Sequence, residues 1–366
     1  MSVKINGTDG ITFNDGSLQQ SAATGKNLII NGDMRIDQRN AGASVTITTN
    51  SQYTIDRFQG QMSQASKYSV QQVTDAPAKF YNSLKVTSAS AYTVLANDFF
   101  SVEQRVEGYN AARLNWGTSD AQTVTLSFWV KSSLTGTFTA SLRNGAANRS
   151  FPYTYTIDSA NTWEYKTITI AGDTSGTWEV TNDKAIRVNF PLGMGTDFTG
   201  GTDSGSTGVW QAGNYSGVNG AVNVVSTSGA TFYLTGVQLE VGDTATPFEN
   251  LQYGQQLALC QRYFEPIIND SLGYNGGQII GSSFNTTRNF VLIYMKQIKR
   301  ATPTIAASGV GGSILQNNTA KTVTALLNSY PDIYSVGIDI TASVTQGAAF
   351  HYNPSATTLI TADAEL

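Results

Sequence analysis

Between Phe232 and Pro266 the apolar period of this chain changes from that of a strand to that of a helix, which fixes where one sheet must end. Phe232 and Leu234, then Val237, Leu239 and Val241, alternate with more polar residues, and the phase slips by one at Gly236. A β-bulge at that glycine accounts for the slip, because an extra residue in one strand shifts every later side chain to the other face. After Pro247, the residues Tyr253, Leu257, Cys260 and Phe264 fall on one face of a helix, with Asn250 placed to cap its start and Pro266 to stop it. The expectation is a strand that hands over to a linking α-helix across 250–266.

The same alternation recurs upstream in Leu84/Val86, Val124/Leu126/Phe128/Val130, Phe138/Ala140/Leu142, Ile168/Ile170 and Ile186/Val188/Phe190, interleaved with Thr, Ser, Lys or Asn. Such strands suit sheets with one apolar and one wet face. Turn signals at Asn144-Gly145, Gly172-Asp173 and Gly200-Gly201 separate them. Charged residues make up only 13% of the chain, where about a quarter is usual, and the composition agrees with an all-β protein. Residues 27–249 therefore read as a jelly-roll-type β-sandwich. Downstream, the run Phe290 to Met295, then Val336/Ile338/Ile340, Phe350/Tyr352 and Leu359, implies a smaller β domain over 267–366. Residues 1–26 hold two short alternating pairs, Val3/Ile5 and Ile11/Phe13. That unit is too small to fold alone, so it either packs against other copies of the chain or docks on the domain that follows.

Several function classes are set aside by count. A net charge of −4 gives no broad positive field for phosphates, and Lys296, Lys299 and Arg300 make only a local cluster, so no nucleic acid is expected as a partner. Cys260 is the only cysteine, which excludes an intrachain disulfide and a thiolate metal cage. The opening residues lack the apolar core of a signal peptide and no run approaches the ~20 apolar residues of a membrane span, so synthesis in the cytoplasm without membrane insertion is expected. His351, the only histidine, stands beside Phe350 and Tyr352 and reads as a strand residue rather than a general base.

Carboxylates offer little more. Glu103 and Glu107 can share a strand face, but extended chain separates them by about 13 Å, outside the roughly 5–10 Å of glycosidase pairs. Asp363 and Glu365 are better spaced, but they lie at a chain end expected to fray. Asp197 and Asp203 could gather oxygens round calcium, although a solvated turn accounts for them as well. No catalytic residue, metal or cofactor is expected.

Sugar recognition needs flat aromatic faces with amide or carboxylate partners, because a sugar has an apolar face and directional hydroxyls. Trp210, Gln211, Asn214 and Tyr215 offer that set, with a tryptophan closing the sandwich rim as the alternative reading. A looser set of Tyr274, Asn275, Tyr330, Tyr334, His351 and Tyr352 lies in the last domain, where several must be core.

Gly236 to Phe264, Asn27 to Arg39, Tyr53 to Phe58, Val124 to Lys131 and the closing Ala362 to Leu366 together resemble a family of tailed-bacteriophage tail-fibre and virion structural proteins. The resemblance implies a carbohydrate-binding-module-like β-sandwich between an N-terminal attachment segment and a C-terminal β domain. It implies a non-enzymatic virion protein, made in the host cytoplasm and oligomeric as a homotrimer. The N-terminus would meet other tail proteins, and the distal domain would contact host-surface glycan or protein. A purely structural capsid or neck protein, or a polysaccharide depolymerase, is the competing expectation. These motifs are scaffold signatures and imply no particular receptor.

Overall fold

The computed structural model describes residues 4–6, 10–12, 18–19, 25–200, 207–269, 279–283, 285–309, 312–316, 319–342, 346, 349–354 and 358–366, and divides into two compact units, Met1–Tyr253 and Gly254–Leu366. Lys4–Asn6, Gly10–Thr12 and Leu18–Gln19 form a small antiparallel sheet, while Phe13 lies outside the described residues. No helix of the described residues is long and apolar enough to cross a membrane.

Two antiparallel sheets make the sandwich of the first unit. One has the order Glu164–Ile170, Val124–Ser132, Thr231–Val241, Ser83–Ser88, Tyr68–Val73, Val45–Thr46. The other runs Gln211–Ala212, Arg149–Ile157, Gly136–Asn144, Lys184–Met194, Phe99–Glu107, Phe58–Met62, Gln52–Tyr53. From Ser83 onward the chain repeatedly crosses between the two sheets, which gives the sandwich its jelly-roll character. The alternating apolar residues face inward: Leu84, Val86, Leu126, Phe128, Val130, Phe138, Leu142, Val188 and Phe190 are all fully buried in one core. Phe128 sits at its centre, with the rings of Tyr155 and Phe190 each 5.2 Å away. Burying a side chain of this size contributes about 1.5–3 kcal/mol.

The bulge expected at Gly236 is present. Ser127 pairs with Gln238 and Trp129 with Thr235, so Gly236 and Val237 together oppose Phe128. Gly236 has φ +61°, and a Cβ there would lie 2.7 Å from the Phe80 ring. The shift turns Val237 and Leu239 back into the core and lets the backbone of Val237 meet the segment at 27–40.

That segment, with 53–58, forms a hydrogen-bonded knot at the edge of the core. Asn27 Oδ1 accepts from the amides of Ile29 and Leu239, and its Nδ2 donates to Val237 O. Gly32 O accepts from Val237 N at 2.9 Å, and a Cβ on Gly32 would lie 2.1 Å from Val237 O, so only glycine fits. Asn31, fully buried, bridges Ile36 and the Asp56 carbonyl. Asp56 accepts from the Gln38 backbone and side chain, and burial pushes its carboxyl up to about 6. The residues that carry the family resemblance here are thus structural fasteners.

The second unit holds a three-stranded sheet, Phe264–Asn269, Leu359–Asp363, Thr304–Ser308, and a seven-stranded one, Thr319–Thr322, Gly312–Gln316, Ala349–Pro354, Ile279–Ser283, Arg288–Tyr294, Ser335–Thr341, Ala325–Pro331. Val291, Val336, Ile338, Ile340, Phe350 and Tyr352 form its core. The helix is shorter than the sequence suggested. It spans Tyr253–Gln261, buries Gln256 and Cys260, and leaves Tyr253 exposed. Phe264 instead opens a strand paired with Leu359–Asp363, and Pro266 sits beside a register shift in that edge strand, a position where proline is tolerated. The chain end does not fray as expected. Leu359–Asp363 is the central strand of its sheet, Ala364 N donates to Tyr263 O, and Arg300 donates to the carbonyls of Ala364 and Glu365. Buried Lys299 pairs with Glu265 at 2.7 Å beside these strands.

All five tryptophans lie in the first unit, so their fluorescence reports on that unit alone. Gly236→Ala combines a left-handed backbone with a displaced Phe80 ring and is expected to destabilise the sandwich by about 1–3 kcal/mol. Urea unfolding of the full chain followed by tryptophan fluorescence measures it, and an unchanged midpoint would show that the bulge bears no load.

Candidate functional site

The outer face of the sandwich's seven-stranded sheet, which runs from Gln211–Ala212 to Gln52–Tyr53 in the first unit, is where sequence and burial disagree. Strand alternation directs Val188 and Phe190 inward and therefore Arg187, Asn189 and Pro191 outward, a face expected to be wet. Yet Ser101, Glu103, Ser141, Asn189 and Gln59 on that face are almost fully buried. Backbone register arranges them in rows. One row runs Gln211, Ser150, Arg143, Arg187, Arg105 across five strands. The next runs Pro152, Ser141, Asn189, Glu103, Gln59, Tyr53.

Directly opposed residues on neighbouring strands have Cβ atoms about 4.5–5.5 Å apart, so three successive arginines repel one another unless a counter-charge stands among them. Glu103 is that charge. Its Oε2 accepts from Arg143 Nη2 at 2.6 Å, its Oε1 from Arg105 Nε at 2.9 Å, and Arg187 Nη1 lies 3.9 Å from Oε1. Burial alone would raise its pKa, but the three guanidinium groups outweigh it and hold the carboxyl below its usual range. The same burial lowers the pKa of Arg143 and of Arg187.

Walls rise round these rows from residues 194–200 and 207–216. Ser216 N donates to Phe198 O at 2.8 Å, Ser150 Oγ donates to Gly213 O at 3.0 Å, and Asn214 Oδ1 accepts from Arg143 Nη1 at 2.6 Å. The result is a groove of about 170 Å³, with Phe99, Phe198 and Met194 as apolar lining and Ser101, Arg143, Arg187, Asn214 and Gln61 as polar lining. The Phe99 and Phe198 rings meet edge to face at 5.2 Å. Beneath lie polar atoms without a protein partner: both amide atoms of Asn189, Ser141 Oγ, Gln59 Oε1 and Arg143 Nε. Buried polar groups are ordinarily paired, and leaving one unpaired costs ~1–3 kcal/mol. A surface with apolar rings at one side and a dense array of donors and acceptors at the other matches the two-sided chemistry of a sugar.

The residues singled out from sequence fall in several places. Asn214 is a groove wall. Tyr215 is half-buried, its amide donating to Ser150 Oγ, and Gln211 lies on the edge strand beside Gly200. Trp210 packs with Trp116, Trp178 and Phe151, each 5.3 Å away, and donates Nε1–H to Ala171 O, which makes it a rim-closing tryptophan. In the second unit Tyr352 is core at 1% exposure, Tyr330 and Tyr334 are exposed, and Tyr274 lies outside the described residues. Tyr330 hydroxyl contacts Arg288 and Asp339, which tie it to its own sheet. Asp197 sits exposed in a short helical turn, and Asp203 is outside the described residues. Among the described residues no group of three His, Cys, Asp or Glu could hold a metal ion.

Catalysis of glycoside cleavage would need a second carboxylate, and none of the described residues lining the groove is one. Glu103, which the sequence brought forward as half of a pair, is committed to its arginines.

No protein-family model and no curated protein matches the sequence. Among solved structures, the enzymatically active domain of bacteriophage CBA120 tailspike protein 4 aligns with 59% of this chain and 22% of its own length, at 12% identity and TM-score 0.32. The family 11 carbohydrate-binding module of Clostridium thermocellum aligns with 55% of this chain and 97% of its own, at 13% identity and TM-score 0.27. A CBM4 structure aligns with 58% and 98%, at 16% identity and TM-score 0.29. The chain spans about a fifth of the tailspike domain. At these scores the likenesses carry no weight in assigning the groove.

Glu103→Gln would leave buried Arg143 and half-buried Arg105 and Arg187 without their shared counter-charge, and a loss of about 3–5 kcal/mol is expected in urea unfolding at neutral pH. Because the folded-state pKa of Glu103 is depressed, its contribution is complete above the ordinary carboxylate range and is lost as pH falls through the folded value. The gap between native chain and variant should therefore narrow in acid. A gap independent of pH would contradict the assignment of charge.

Proposed function

We propose that this protein is a non-enzymatic glycan-binding attachment protein, with its ligand held in the groove on the outer face of the seven-stranded sheet. The observation that carries this reading is the fully buried Asn189, in the row between the groove-lining residues Ser101 and Arg187, whose side-chain amide makes no protein hydrogen bond, just as Ser141 Oγ directly opposite it makes none. An apolar residue there would be more stable, and a group retained at a cost to stability is commonly kept for function. The groove volume of about 170 Å³ is below the roughly 300–1,000 Å³ of enclosed small-molecule pockets. It suits one unit of a longer saccharide whose remainder lies outside.

The sequence resemblance to tail-fibre and virion proteins supplies the setting. In it the chain acts on a phage tail as a homotrimer, joined to other virion proteins by residues 1–26 and presented to the host surface. The exposed Tyr330 and Tyr334 favour a second contact in the C-terminal unit, for protein or glycan.

Asn189→Leu separates function from structure. Isothermal titration calorimetry against host-surface polysaccharide should show affinity reduced at least tenfold, while urea unfolding shows stability unchanged or raised by about 1–2 kcal/mol, as expected when an unpaired buried amide is replaced by an apolar group. Full retention of binding by the variant would remove the groove as the site. Retained binding that is lost instead on Tyr330→Ala with Tyr334→Ala would move the site to the second unit.

A further inference from the structure

The charge of the groove narrows its ligand. Arg143 and Arg187 stand side by side in register, both line the groove, and both rely on the single carboxylate of Glu103, which Arg105 also engages. One carboxylate cannot neutralise two guanidinium groups, so the groove wall keeps a net positive charge whatever Arg105 does. Burial lowers the pKa of both arginines, in keeping with a positive pair that Glu103 only partly compensates, Arg143 buried and Arg187 half-buried. Arg143 Nε has no protein partner, and Arg187 directs Nε and Nη2 to Gly145 O while Nη1 stays 3.9 Å from the nearest carboxylate oxygen.

Resting on the glycan-binding reading above, we infer that the groove selects a saccharide unit bearing an anion, a carboxylate or a phosphate, which Arg143 and Arg187 pair across the neighbouring strands. Charge-assisted hydrogen bonds to such oxygens are shorter and about twice as strong as neutral ones, and Arg187 Nη1, with no protein acceptor within hydrogen-bond distance, is available to make one. The remaining hydroxyls then meet Ser101 and Asn214, with Phe99 and Phe198 against the apolar face of the ring. Neutral sugars would leave the positive charge unmatched and buried, so the same charge that attracts an acidic unit rejects a neutral one.

Calorimetry on the full chain tests this with tri-galacturonate, sialyl-lactose and mannose phosphate, the two carboxylates each beside its methyl ester, together with neutral trisaccharides. At least one anionic ligand should bind tenfold or more tightly than its ester or neutral counterpart. Its affinity should fall as salt is raised, because charge pairing is screened. Preference for one of the carboxylates over mannose phosphate, or the reverse, identifies the anion. Arg187→Gln should remove the preference at least tenfold, and Arg187→Lys should restore part of it. Esters or neutral sugars bound as well as acids would overturn this inference and leave the proposed function standing, whereas no binding by any ligand would overturn both. Because the acid-to-ester comparison uses the native chain, it holds even if a variant fails to fold.

Discussion

A single carboxylate determines what the outer face of the sandwich's seven-stranded sheet can be. Glu103 is fully buried at a position whose strand neighbours bring arginines from three adjacent strands within reach. Desolvating ions costs several kcal/mol each, and their attraction offsets this only where geometry and hydrogen bonds are good. Here the geometry is good for Arg143 and Arg105, and looser for Arg187. Without the ionised Glu103 the three-arginine row would repel itself beside Phe198 and Asn214. The groove exists because that charge cluster can be covered without being neutralised.

The opposite face of the same sheet supplies the stability that tolerates this arrangement. Its inward residues share one core with the second sheet, and the segment 27–40 is fastened to the strand that carries the Gly236 bulge. The bulge links the two ideas. By returning Val237 and Leu239 to the core it aligns backbone groups that Asn27 and Gly32 engage. Gln104, next to Glu103, turns the other way and clamps both backbone groups of Ile30. Successive residues of one strand therefore serve the fastening and the groove.

The fold was largely legible because its signals are local. Alternation marked the strands around Val124 and Phe138, and a phase slip at one glycine marked the bulge. The helix was overextended, since Phe264 keeps helical spacing with Cys260, although its backbone pairs with a strand nearly a hundred residues later. The groove was harder to see. Asn214 was reached through its amide and its aromatic neighbours, and Trp210 was read as a site or a rim and belongs to the rim. Ser141, Arg143, Arg187 and Asn189 looked like ordinary wet-face residues, because only the strand register places them together. One signal was available: Glu103, Arg105, Arg143 and Arg187 are charges within strand interiors, which a wet face does not need in such number. Tyr352 stood in the sequence both as a strand partner of Phe350 and in the looser aromatic set of which several had to be core, and it is core; alternation alone does not say which face of its strand is covered.

Backbone amide chemical shifts of the full chain, followed during titration with the tightest-binding saccharide, test the central claim most directly. The account expects the largest changes at Phe99, Ser101, Arg187, Asn214 and Ser216, which come from three separate parts of the sequence and meet in the groove. Changes confined to the second unit, or centred on Trp210 with the groove residues unmoved, would contradict it.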